Sequence, residues 1–162
     1  MSDTPGLQLP SGLHVALWEP EIPPNTGNVA RLCAATGTAL HLIGRLGFRL
    51  DERSLRRAGL DYWPVVEVRR HASLEEFEAA GAVGRLICFS AHAQRRYTTV
   101  TYQACDCLLF GGESRGLPVS LLERHAAHAV TIPMPAGLVR SLNLATAVGI
   151  GLYEALRQLN AW

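Results

Sequence analysis

Three short segments hold most of the polar residues that stand out against apolar surroundings. The first, Pro20-Glu21-Ile22-Pro23-Pro24-Asn25-Thr26-Gly27-Asn28, leads to Arg31. Its prolines stiffen the chain, Asn25 and Asn28 offer amides, and Arg31 is set among Val29, Ala30, Leu32 and Cys33, as a ligand contact or as half of a surface ion pair. The second is Phe110-Gly111-Gly112-Glu113-Ser114-Arg115-Gly116-Leu117-Pro118. Glycines let backbone approach a ligand closely, and Glu113 reads as a ligand contact or as a helix-capping carboxylate, with composition favouring the cap. The third runs from Ile132 through Arg140-Ser141-Leu142-Asn143-Leu144. Here Ser141 is the expected N-cap of a helix. Asn143, at a helix start otherwise committed to burial, is an amide that needs partners.

Other chemistries fail on spacing. Gly111 and Gly116 have the outer spacing of a phosphate loop, but Leu117-Pro118 stands where Lys-Ser/Thr is required. No G-x-G-x-x-G follows a predicted strand. Cys105 and Cys107 with His125 and His128 are too closely spaced for a usual zinc site, so no metal is expected. Ser90 and His92 lack an orienting acid for a nucleophilic triad.

Composition narrows the field further. The 162 residues include 15 basic side chains, all arginine, against 14 acids, for a formal net charge of +1. Without lysine there is no Schiff base, no Walker lysine and no lysine general base. We read the all-arginine usage as genome composition, given the abundant alanine, glycine and leucine. The overall charge offers no bulk argument for nucleic acid, although the stretch from Arg45 to Arg70 concentrates arginine beside the expected site. With Arg95, Arg96 and Arg140, these side chains could form a local phosphate-binding strip. No apolar run has the length of a membrane span and no signal pattern opens the chain. The cysteines lie in apolar stretches, as expected of reduced thiols in a cytoplasmic protein.

The elements that must position the three segments follow from the hydrophobic pattern. Residues 1–12 read as a flexible leader and 13–162 as a single domain. Strands are expected at Leu13–Trp18, Ala39–Ile43, Pro64–Val68, Leu86–Ser90, Cys107–Phe110 and Ala129–Ile132. Helices are expected at Asn28–Ala35, capped by Asn25 or Thr26 and closed by Gly37, and at Asp51–Ala58, Ser73–Ala80, Leu117–Arg124 and Leu142–Leu159. The prolines of residues 20–24 should exclude regular structure. Alternation of strand and helix predicts an α/β domain with a mainly parallel sheet and helices on both faces. In such a sheet ligands bind beyond the carboxyl ends of the strands, which is where all three segments fall. The last helix is apolar on nearly every side, and Gly149 and Gly151 within it imply close approach of another backbone, across a subunit interface or inside the fold.

Taken in order, Pro20–Asn28, Leu55-Arg56-Arg57-Ala58-Gly59-Leu60-Asp61-Tyr62-Trp63, the Phe110–Pro118 loop and Arg140–Leu144 resemble the SPOUT superfamily of RNA methyltransferases. The closest similarity is to the small tRNA (cytidine/uridine-2'-O)-methyltransferases of the wobble position. The resemblance implies a C-terminal deep trefoil knot, an exception to the unknotted rule. It also implies S-adenosylmethionine as cofactor, a homodimer, and a tRNA anticodon stem-loop, of leucine tRNAs, as substrate. Carried over by motif, the cofactor site comprises Phe89, Gly111, Ile132, Ser141 and Leu142, with Asn143 beside them, and the catalytic set is Arg31, Glu113 and Asn143. The Leu55–Trp63 segment would contact RNA or support the dimer.

The chain departs from the family pattern in three places. Gly112 stands where Gly-Pro-Glu is usual, which should loosen the loop. The turn before Arg140 is a residue longer, and Ala145 replaces a serine. The alternatives are a 2'-O-methyltransferase for another tRNA or ribosomal RNA position, and a non-catalytic RNA-binding knot protein.

Overall fold

The computed structural model describes residues 12–51, 53, 57 and 63–162. Most of the expected helix Asp51–Ala58 and of the Leu55–Trp63 signature lies outside the described residues, as does nearly all of the leader.

Among the described residues, six strands form one parallel sheet in the order β3-β2-β1-β5-β4-β6. They are β1 (His14–Trp18), β2 (Ala39–Ile43), β3 (Val68–His71), β4 (Leu86–Phe89), β5 (Cys107–Gly111) and β6 (Ala129–Val130). Strands covered on both faces read as continuous apolar runs, and β2 and β4 are buried at every position. Helices α1 (Pro23–Thr36) and α4 (Leu144–Asn160) cover one face; α2 (Leu74–Ala79) and α3 (Val119–Arg124) cover the other. Alternation along each strand sorts the core into two layers. Val15, Leu17, Leu42, Ile87 and Phe110 pack with Val29, Cys33, Val148 and Leu152. Ala16, Ile43, Cys88 and Leu109 pack with Phe77 and Leu121.

Four expectations need correction. Helix α1 starts at Pro23, five residues before the expected start, with Ile22 at its N-cap and prolines at its first two positions. Proline is tolerated there because those N–H groups have no intrahelical partner. Gly37 closes the helix at φ 65°, as expected. The third strand is Val68–His71 and not Pro64–Val68. Residues Trp63–Val65 form a 3-10 turn, since Pro64 has no N–H to give a ladder. The N-cap of α4 is Asn143, whose side chain accepts from Thr146 N, and not Ser141. The Leu117–Arg124 helix begins only after Pro118.

The two glycines of α4 have different surroundings. A Cβ at Gly151 would lie 2.8 Å from the Phe89 ring, whereas one at Gly149 would meet only Leu32 Cδ2, at 4.0 Å. Gly151 therefore serves packing within the fold, against the stacked Phe89 and Phe110 rings.

Candidate functional site

The three segments leave the carboxyl ends of β1, β5 and β6, so parallel pairing delivers all of them to one edge of the sheet. The first two start side by side, because Trp18 pairs with Gly111.

Glu113 joins them. One carboxylate oxygen accepts from Glu21 N at 2.7 Å, and the other from Ile22 N at 3.1 Å and from Asn25 Nδ2 at 3.4 Å. Ile22 has no capping side chain of its own. Glu113 therefore caps α1 from a distant loop and places its negative charge where the helix dipole favours it. Asn25, which is buried, extends the link: its Oδ1 accepts from Asn143 Nδ2 at 3.0 Å. Asn143 is thus an exposed side chain with two duties, capping α4 and tying the third segment to α1. The chain Glu113–Asn25–Asn143 holds all three segments together. Sequence reasoning singled out each of these residues, and Glu113 proves to be a cap.

Glycines set the closeness of this assembly. A Cβ at Gly111 would lie 2.0 Å from Gly116 C, and one at Gly112 would lie 2.4 Å from Glu19 O. At Gly112 a side chain would collide with the Glu19 carbonyl, so glycine there permits the loop's close approach to the β1 segment. Glu19 itself has φ 49°, an uncommon left-handed backbone for a residue with a side chain.

Arg31 lies on the exposed stripe of α1 with Pro24 and Asn28, not on an apolar face. The sequence neighbours Val29, Ala30 and Cys33 turn inward. The expected cofactor residues divide by exposure. Gly111, Ile132 and Leu142 are half-buried at the edge and Ser141 is exposed. The Phe89 side chain is buried, stacked on Phe110 with ring centroids 4.5 Å apart. What Phe89 offers the edge is its backbone at the end of β4. The third segment also presents Leu138 and Val139, 89% and 63% exposed, around a turn in which Gly137 N donates to Met134 O.

Two residues that sequence reasoning missed complete the junction: Glu21 accepts from Ser114 N and from Ser114 Oγ. The serine bonds hold the Glu21 carboxyl below the usual carboxylate range. A glutamate before a proline pair and a serine after a glycine loop give no sign in sequence that they meet.

Among the described residues no three His, Cys, Asp or Glu side chains converge in the manner of a metal site. Cys107 is buried in β5 while Cys105 is exposed. His125 Nε2 lies 3.4 Å from Glu78. Arg95, placed in the expected phosphate strip, spends its guanidinium on Thr99 and the Ala127 carbonyl. Arg45, Arg49, Arg70, Arg96 and Arg140 are exposed.

Comparison with known proteins gives a consistent picture. Residues 12–153 match the SpoU rRNA Methylase family. The chain is 47% identical, over 91% of its own length and 94% of the relative's, to the tRNA (cytidine(34)-2'-O)-methyltransferase of Escherichia coli. A solved structure described as giving insight into the 2-OH methylation of C/U34 on tRNA superposes with a TM-score of 0.85 at 50% identity, covering 93% of this chain and 97% of that one. The SpoU methyltransferase AviRb of Streptomyces viridochromogenes, solved in complex with the cofactor AdoMet, gives a TM-score of 0.79 at 27% identity, covering 96% of this chain and 64% of that one.

Proposed function

The chain belongs to the SpoU rRNA methylase family, and from that premise we propose that it methylates the 2'-hydroxyl of the wobble ribose in tRNA, using S-adenosylmethionine. The similarity to 2'-O-methyltransferases extends over nearly the whole chain. The observation that carries the reading is the Glu113–Asn25–Asn143 link, which gathers the three motif segments at one edge and fixes the helix that bears Arg31.

The residues at this edge suit the cofactor. Ile132, Leu142, Leu138 and Val139 supply apolar surface for a purine face, and the peptide groups of the third segment and of Gly111 supply hydrogen bonds for its edge. Ser141 and the Phe89 backbone complete that wall. S-adenosylmethionine, when bound, supplies a methyl carbon made electrophilic by its sulfonium.

The protein's part is positioning. A ribose hydroxyl is a weak acid, and in-line attack needs close alignment and a route for its proton. Arginine, ordinarily cationic with a fork of five donors, suits the phosphate next to the reactive ribose. We assign Arg31 that contact, holding the phosphate and the ribose in place for the attack. Glu113 and Asn143 hold Arg31's helix against the cofactor wall. The exposed arginines 45, 49, 70, 96 and 140 give the RNA backbone a local basic strip.

The finer reading is a cytoplasmic homodimer acting on the anticodon stem-loop of leucine tRNAs, with residues 13–162 as its single domain and a trefoil knot at the C-terminal segment. On α4, Tyr153 is 45% exposed, a large aromatic surface that supports the dimer. Among the described residues no helix is long and apolar enough to cross a membrane.

Arg31→Ala should abolish methyl transfer to tRNA while calorimetry shows S-adenosylmethionine binding within a few-fold of the parent. Full activity in that variant would overturn the assignment.

A further inference from the structure

The segment Glu19–Ile22 is where β1 turns into α1, and it is gripped from three sides. Gly47 N donates to Pro20 O at 2.9 Å, and a Cβ at Gly47 would lie 2.7 Å from Glu21 Cα. On the other side Gly112 lies against the Glu19 carbonyl. Between these grips runs a reciprocal exchange. Glu113 takes the amides of Glu21 and Ile22, and Glu21 takes both the amide and the hydroxyl of Ser114, at 3.1 Å and 2.5 Å. Two adjacent pairs of residues are thereby crossed like the members of a brace.

Burial does not account for the Ser114 half of this brace. Ser114 is exposed, so water could satisfy its hydroxyl. What the contact does is directional. Glu113 alone fixes a point at the start of α1, whereas a second attachment one residue away on each side resists rotation about that point. Arg31 lies about 12 Å along the helix from Pro23 at 1.5 Å per residue. A tilt of about 5° at the start would move it by about 1 Å, a displacement that can cost a hundredfold in rate.

We propose that Glu21 and Ser114 are positioning residues for methyl transfer, setting the angle at which α1 presents Arg31 to the substrate. The inference rests on the activity proposed above and adds to it two residues that touch neither substrate nor cofactor.

The test uses the full chain with tRNA and labelled S-adenosylmethionine. It compares the parent, Ser114→Ala, Ser114→Thr, Glu21→Ala and the double variant Glu21→Ala/Ser114→Ala. Both single alanine variants should lower kcat about tenfold, with KM for tRNA and calorimetric S-adenosylmethionine affinity within about twofold of the parent. The double variant should be no worse than about twofold below the poorer single variant, as expected of residues acting through one contact. Ser114→Thr, which keeps the hydroxyl, should recover the parent kcat. Unchanged kcat in the alanine variants, losses that multiply in the double variant, or a threonine variant as slow as the alanine one would each overturn the brace. A parent chain that transfers no methyl group to tRNA would overturn the underlying activity as well, so the two failures are told apart by the parent alone.

Discussion

Asp106 is 1% exposed, and its charge is tolerated because Arg85 meets it with two donors, Nε at 2.9 Å and an η nitrogen at 2.6 Å, while Gln103 N adds a third at 2.8 Å. Removing one partner of a buried pair leaves the other charge stranded. Arg85→Ala should therefore cost about 3 kcal/mol in urea-denaturation stability; a loss below about 1 kcal/mol would show that water replaces the guanidinium. Sequence reading did not find this pair, because the two residues lie in separate segments and neither forms a motif. The site residues were legible to different degrees for the same reason. Glu113 reads as a capping carboxylate from its glycine surroundings, but the helix that it caps begins far away in the chain. Asn143 reads as an amide in want of partners, and its partners prove to be a helix start and Asn25. Glu21 and Ser114 carry no local signal at all.

At the scale of elements, β2 was legible to the residue, since the short run Ala39–Ile43, apolar apart from His41, is bracketed by Gly37 and Gly44. Helix α1 was misplaced because two prolines suggest a loop, while the structure uses them where proline is harmless. Strand β3 was shifted because its ladder includes Arg69, Arg70 and His71 and its hydrophobic pattern is weak. What anchors β3 is a row of three imidazoles across the sheet. His14 Nδ1 lies 2.9 Å from His41 Nε2, and His41 Nδ1 lies 3.0 Å from His71 Nε2. Phe77 of α2 sits edge-on to both His41 and His71. Neutral imidazoles, each with one donor and one acceptor, suit such a row. Burial lowers the pKa of all three, that of His41 to about 3, and Arg69 and the neighbouring histidines add to the effect at His41. Glu67 facing His14 and Glu76 facing His71 act in the opposite sense.

The sign of the pH dependence follows. In the unfolded chain these histidines take up protons near pH 6.5, whereas the folded chain refuses them until lower pH, so the stability they contribute is complete above about pH 6.5 and declines as pH falls. The urea midpoint should drop between pH 7 and pH 5, and His41→Asn should flatten that decline. A parent profile already flat over this range would contradict the neutral row.

For the whole molecule, parallel strand order does the work of assembly. It places the ends of β1, β5 and β6 on one edge, so three segments spread over more than 120 residues meet. The α/β class and the two-faced helix cover were legible from alternation of elements and from strands without a polar face. The strand order and the cross-links between segments were not, because they depend on contacts between distant residues. Charge shows the same division. A net charge of +1 coexists with exposed arginines at positions 45, 49, 70, 96 and 140, so overall neutrality does not oppose an RNA substrate. Incubating the chain with tRNA and labelled S-adenosylmethionine, then mapping the labelled nucleoside, tests the central claim most directly. We expect label as a 2'-O-methylated nucleoside at the wobble position and nowhere else in the tRNA; label on a base, at another position, or absent altogether would contradict the account.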